Sequence, residues 1–232
     1  MNSYMDYILT QLKNLTAIDS PSGYTKEVTD YLISEYKSLG YAPKKTVKGG
    51  VLVDLGGADK ENALFMEAHV DTLGAMVAEI KENGRLRLPP LGGLNANNAE
   101  AENCRIHTRF HGTYEGTMQL TDASIHVNGK YNDTSRTFDV MEVLIDEKVS
   151  SKKEVEALGI MAGDVVCFDP RTTITRSGYL KSRFLDDKLS AAILMGYAKY
   201  LKDENVCPKR ALYQHFTVYE EVGHGGSASI PD

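Results

Sequence analysis

The 232-residue sequence predicts an α/β layer interrupted by a small β-rich domain, and three observations carry that expectation. Apolar residues recur at helical spacing twice before Gly40, and short apolar strand runs follow. Between about Gly74 and Thr175 the pattern breaks into brief runs separated by Gly, Pro, Asn and Asp. Helical and strand patterns then resume.

The first helix is defined by Tyr4, Ile8, Leu12 and Leu15, and Asp19-Ser20-Pro21-Ser22-Gly23 breaks it. A second carries Val28, Tyr31, Leu32 and Leu39 and ends at Gly40. Residues 51–55 form a strand closed by Gly56-Gly57. Residues 63–70 are a nearly continuous apolar run, as expected of a strand covered on both faces. In the middle region, Arg85-Leu86-Arg87-Leu88, Ser124-Ile125-His126-Val127 and Val165-Val166-Cys167-Phe168 are the expected strands of a small barrel or sandwich. Beyond it, Leu189, Ala192, Ile193, Gly196, Tyr197, Tyr200 and Leu201 mark one face of a helix, and residues 211–219 read as an interior strand. The expected division is 1–73 and 176–232 for the α/β part, with 74–175 as the insert.

Composition is that of a folded globular chain, with 42% hydrophobic and 25% charged residues. A net charge of −6 disfavours nucleic acid and anionic membrane as partners and leaves peptides or small molecules. Asp6, Lys13, Asp19 and Lys26 interrupt the first thirty residues, so neither a signal peptide nor a membrane span is expected there. Three widely separated cysteines, Cys104, Cys167 and Cys207, fit reduced thiols in a cytoplasmic protein.

Three constellations able to carry chemistry sit at element ends, all outside the insert. In Met66-Glu67-Ala68-His69-Val70-Asp71, residues two apart on an extended chain face the same way. Asp71 can therefore orient His69 and leave one ring nitrogen for a metal. A solvated strand terminus is the alternative. In Leu185-Asp186-Asp187-Lys188 an aspartate can cap the following helix or bridge cations. In Tyr219-Glu220-Glu221-Val222-Gly223-His224, two adjacent carboxylates at the end of a buried strand are costly unless ligated or exposed. One can bind metal while the other takes a proton from water; two solvated glutamates are the alternative. His224 reads as a loop residue. His107 and His111 lie in the β-rich region, where four residues span about 13 Å, so their spacing implies no shared metal. No Gly-x-Ser-x-Gly elbow is present.

EAHVDTLGAMV, then SGYLKSRFLDDK, then EEVGHGG, with a β-rich insertion between the first two, resembles the tetrahedral-aminopeptidase family of glutamyl and deblocking aminopeptidases. The resemblance implies a zinc-peptidase-like mixed sheet with helices on both faces, incomplete in this chain, plus an inserted small β-barrel or sandwich domain that mediates dimerisation. It implies two divalent metal ions, Zn or Co. His69 would ligate one, Asp186 would bridge both, and Glu221 would ligate the second. Glu220 would be the general base, and Asp71 would orient His69. The implied activity is removal of N-terminal residues from peptide substrates by a homo-oligomer.

The family pattern continues beyond the Glu-Glu segment with a further carboxylate and a histidine ligand, whereas this sequence ends at Ile230-Pro231-Asp232. Weak or absent metal binding and impaired activity are therefore expected of this chain, because a catalytic zinc usually keeps three protein ligands. Another metal-dependent amidohydrolase, such as a deacylase or carboxypeptidase, is the alternative within hydrolases, since the same metal chemistry serves any amide. A non-catalytic assembly or peptide-binding module is the alternative outside them. Glycosidase chemistry is disfavoured because it needs a spaced carboxylate pair.

Overall fold

The computed structural model describes residues 3–226, residue 3 by its backbone alone. In chain order the elements are α1 (Ser3–Ala17), α2 (Lys26–Ser38), β1 (Lys44–Lys45), β2 (Val51–Gly56), β3 (Asp59–His69), β4 (Gly74–Met76), β5 (Glu79–Ile80) and β6 (Leu86–Arg87). There follow β7 (Pro90–Leu91), β8 (Asn103–His107), β9 (Thr113–Leu120), β10 (Met141–Ile145), α3 (Lys152–Ala157) and β11 (Val165–Phe168). The last are β12 (Thr173–Ile174), β13 (Leu180–Lys181), α4 (Leu185–Asp203) and β14 (Arg210–Thr217). The architecture is mixed α/β and comprises two compact units, Leu73–Asp169 and the segments that flank it. The expected chain end at Ile230-Pro231-Asp232 lies outside the described residues.

In the flanking unit a four-stranded sheet runs β1-β2-β14-β3, with β14 antiparallel to β2 and parallel to β3. β14 is buried at nearly every position, so both of its faces are covered. Leu12, Tyr36, Val51, Ala68, Met195 and Phe216 bring three helices and three strands into one apolar core. Apolar burial of this kind contributes about 25 cal/mol per Å² and is the main stabilising term here.

Two expectations need correcting in this unit. β3 extends back to Asp59 and, among the described residues, pairs only with β14; its first nine residues are partly or fully exposed, and Leu64 is 40% exposed. An apolar run marks strand tendency, but whether a strand lies inside a sheet is decided by partners distant in sequence. α4 buries Ala192, Gly196 and Leu201 of the expected face together with Lys188, Ala191, Met195 and Ala198, while leaving Ile193, Tyr197 and Tyr200 of that face partly exposed. Close approach to α1 selects small residues. A Cβ at Gly196 would stand 2.3 Å from Ile8 Cγ1.

The Leu73–Asp169 unit is an eight-stranded antiparallel sheet in the order β5-β6-β10-β9-β8-β11-β4-β7 around its own core, which includes Leu86, Ile106, Met118, Val143 and Phe168. Ser151 caps α3, and the Glu154 carboxylate accepts from the Ser150 N–H at 2.7 Å. The strand expected at 124–127 is instead a run of turns. Val127 and Asn128 both donate N–H to the Ser124 carbonyl, and Ile125 and Val127 are exposed. Four alternating residues flanked by Asp122, Asn128 and Gly129 carry a stronger turn signal than strand signal.

Candidate active site

β3 ends on His69, which is buried, and the chain continues through Val70 to Asp71, which has no solvent exposure. The His69 Nδ1 lies 3.0 Å from the backbone carbonyl of Asp71 and 3.5 Å from its carboxylate Oδ1. A carbonyl oxygen only accepts, so Nδ1 carries the hydrogen and donates it there. The orienting contact thus comes chiefly from the Asp71 backbone rather than from the carboxylate that the i, i+2 spacing suggested.

The other ring nitrogen, Nε2, faces the Asp186 Oδ1 at 3.0 Å and the Glu220 Oε2 at 3.7 Å. Asp186 stands in the first turn of α4, whose N-cap is Phe184 with no side-chain cap bond; Asp186 and Asp187 have non-helical dihedrals and are joined by a cis peptide. The Asp186 carboxylate is directed at His69. Its side chain is 93% exposed and that of Glu220 is 57% exposed, so the ring nitrogen is reached from solvent past two carboxylates.

Glu220 and Glu221 lie on a 3-10 turn beyond β14 rather than on the strand itself. Both backbone N–H groups donate to the Asp71 carboxylate at 3.2 Å, to Oδ1 and Oδ2 respectively. Their side chains then diverge. Among the described residues, the Glu221 carboxylate does not join His69 and Asp186 in a trio of ligand atoms all within 4.8 Å of one another.

The electrostatics follow from this crowding. Burial and the neighbouring carboxylates of Asp71, Glu220 and Asp186 lift Glu221 to about 7, against the pull of His69. Burial also disfavours the charged form of His69, but hydrogen bonds to Asp71 and Asp186 outweigh it and raise the imidazole to about 9. For Asp71 burial pushes upward, yet the His69, Ser22, Glu221 and Glu220 hydrogen bonds hold its carboxyl below the usual range. Protons occupy a place where negative charge converges. Imidazole nitrogen with carboxylate oxygens is the donor set that suits zinc or cobalt, so the residues present fit a divalent cation between His69 and Asp186.

Sequence reasoning missed two residues here. Ser22 donates its hydroxyl to the Asp71 Oδ2 at 2.5 Å, and Gly225 lies so close to the turn that a Cβ would stand 2.7 Å from the Glu220 nitrogen. Both belong to segments that read as breakers. His224 is exposed, and its carbonyl accepts from Lys48 Nζ at 2.5 Å. His107 Nδ1 lies 2.9 Å from Thr113 Oγ1, and His111 packs over Gly159.

The profile of the M42 glutamyl aminopeptidase family matches residues 49–232. The chain is 40% identical over 222 residues to YhfE of Bacillus subtilis (strain 168), whose own aminopeptidase assignment is provisional, covering 95% of this chain and 64% of that protein. Its fold superposes on the TET aminopeptidase of Thaumarchaeota archaeon SCGC AB-539-E09 with a TM-score of 0.84 at 23% identity, over 94% of this chain and 60% of the other. It superposes on the Pyrococcus horikoshii TET1 peptidase, which can assemble into a tetrahedron or a large octahedral shell, with a TM-score of 0.77 at 26% identity, over 93% and 62%. The chain thus spans about three-fifths of the length of the relatives it matches. With the profile covering most of the chain and including both strand ends and the α4 aspartates, this protein belongs to the M42 glutamyl aminopeptidase family.

Proposed function

We propose that this chain carries the core of a metal-dependent aminopeptidase site that removes N-terminal residues from peptides through a two-metal-activated water. The observation that carries this reading is the convergence of Asp186 and Glu220 on the Nε2 of His69, with Asp71 behind it. In the proposed assignment His69 and Asp186 hold one cation, and Asp186 with Glu221 holds the second. A divalent cation bound there supplies Lewis acidity for the scissile carbonyl and for water. Glu220 takes the proton of the attacking water and delivers it to the departing amine, and Asp71 keeps the His69 ring in orientation.

Among the described residues His69 Nε2 and Asp186 Oδ1 form the one close pair of proposed ligand atoms, at 3.0 Å, with Glu221 outside a compact trio, which supports weak metal retention and low activity for this chain alone. The assembly recorded for the TET1 peptidase supports a homo-oligomer, built through the Leu73–Asp169 unit in our reading. Three free cysteines support a cytoplasmic location; among the described residues no helix is long and apolar enough to cross a membrane.

The test is a cobalt(II) titration followed by visible spectroscopy and calorimetry, with hydrolysis of free-amino and N-acylated peptides measured alongside. We expect uptake with a nitrogen–oxygen ligand spectrum, at least about tenfold weaker in His69→Ala and Asp186→Asn. Glu221→Gln should also weaken uptake, while Glu220→Gln should spare uptake and remove turnover. Turnover confined to N-acylated peptides would replace the aminopeptidase with a deacylase. No specific uptake by the wild-type chain would overturn the metal site.

A further inference from the structure

We propose that Ser22 is a positioning residue of this site: through the Asp71 carboxylate, its hydroxyl sets where the turn bearing Glu220 and Glu221 stands against His69. What is positioned rests on the peptidase reading; how it is positioned rests on geometry alone.

The Asp71 carboxylate is fully buried, and its two oxygens accept from three donors and lie near the His69 ring. Oδ2 accepts from Ser22 Oγ at 2.5 Å and from the Glu221 N–H at 3.2 Å. Oδ1 accepts from the Glu220 N–H at 3.2 Å and lies 3.5 Å from His69 Nδ1. Three of these contacts are hydrogen bonds to the carboxylate, whereas His69 Nδ1 gives its hydrogen to the Asp71 carbonyl. The Ser22 bond is the shortest of the set. Without it, the carboxylate is held by two long backbone bonds, and rotation of Asp71 would release the turn that carries Glu220, whose carboxylate is 3.7 Å from the His69 ring.

The loop that presents Ser22 is itself fixed at both ends. Pro21 bridges Thr72, the Thr72 N–H donates to the Ser20 carbonyl at 2.9 Å, and Ser20 Oγ donates to the Val70 carbonyl at 2.7 Å. Lys188, fully buried two residues after Asp186, donates Nζ to the carbonyls of Leu15 and Ile18 at 2.8 Å each. Ser20 therefore holds the backbone of the strand end, Lys188 ties the same loop to the start of α4, and Ser22 is left to hold a side chain. A hydroxyl serving only the loop would have no reason to bond a buried carboxylate 49 residues away.

The experiment compares wild type, Ser22→Ala and Ser22→Thr, reading amide hydrogen exchange and cobalt(II) affinity on the whole chain. In Ser22→Ala the amides of Glu220 and Glu221 should exchange about tenfold faster, with those of β14 unchanged, because a hydrogen bond to a charged group is lost beneath them. Cobalt affinity should fall about tenfold, and its visible spectrum should change. Ser22→Thr keeps the hydroxyl and should restore both; Ser22 is only partly buried, so the added methyl has room. Unchanged exchange at the two amides in Ser22→Ala, or faster exchange with cobalt affinity and spectrum intact, overturns the proposal. Failure of the wild type to take cobalt counts against the peptidase reading instead, and the exchange comparison then decides on Ser22 by itself.

Discussion

Among the described residues two carboxylates are withdrawn completely from solvent, Asp71 at the candidate site and Glu142 in the Leu73–Asp169 unit, and they are held by different means. Glu142 lies between two cations, with Lys81 Nζ at 2.7 Å from one oxygen and Arg85 bonded to the other. Its charge is more than balanced. Asp71 is bound by a hydroxyl, two backbone N–H groups and an imidazole edge. The hydroxyl and the backbone dipoles stabilise the carboxylate without cancelling its charge, which in turn favours the protonated form of His69. The negative field at Asp71 therefore persists and reaches His69 and Glu221, whose displaced pKa values record it. The first arrangement is a cross-strand clasp; the second leaves charge available to a cation.

The largest test of this contrast is Asp71→Asn. An amide has only one acceptor oxygen, so its NH2 group must face one of the N–H or O–H donors now bonded to Asp71, leaving buried donors unsatisfied. We expect a loss of about 3 kcal/mol in unfolding free energy by urea titration, together with a loss of about 100-fold in cobalt affinity. Glu142→Gln should be milder. Lys81 and Arg85 keep 29% and 31% side-chain exposure, so water can replace part of what the carboxylate gave. A cost of about 1–2 kcal/mol is expected, with cobalt affinity unchanged. A Glu142→Gln protein with the larger stability loss, or with weakened cobalt binding, would break the comparison.

How much of this could be read from the sequence depended on the range of the interaction. α1 was legible because Ile8, Leu12 and Leu15 repeat every turn, and β14 because Ala211, Leu212, Tyr213, Phe216 and Val218 crowd one short segment. His69, Asp71, Asp186, Glu220 and Glu221 stood out as titratable groups at element ends. The rest is set by distant partners. Nothing in 63–70 states that the strand pairs on one side only, since that follows from the order β1-β2-β14-β3. α4 advertised its bulkiest residues, but contact with α1 favoured Ala191, Gly196 and Ala198, because small side chains let helix axes approach. Ser22 lies in a segment that reads as a helix breaker, and its partner Asp71 is one helix and three strands away in sequence. Even the i, i+2 spacing of His69 and Asp71 predicted a side-chain contact where the backbone carbonyl supplies the closer one.

The smallest effect probes the same balance with a different acid. Burial raises Asp71 and Cys104 alike, but at Asp71 four hydrogen bonds reverse the sign, whereas at Cys104 no comparable donor intervenes. Burial pushes the Cys104 thiol to about 12, with Asp146 and Asp169 adding to the rise and Arg105 opposing it. Alkylation proceeds through the thiolate, so at pH 8 almost none of Cys104 is in the reactive form, and its burial denies access as well. Cys207 is exposed. Iodoacetamide added to the native chain at pH 8 should therefore label Cys207 within minutes and leave Cys104 unlabelled until urea is added, as read by peptide mass spectrometry. Equal labelling of the two in native buffer would mean that the β8 strand opens freely, and the burial invoked for its charged neighbours would lose its force.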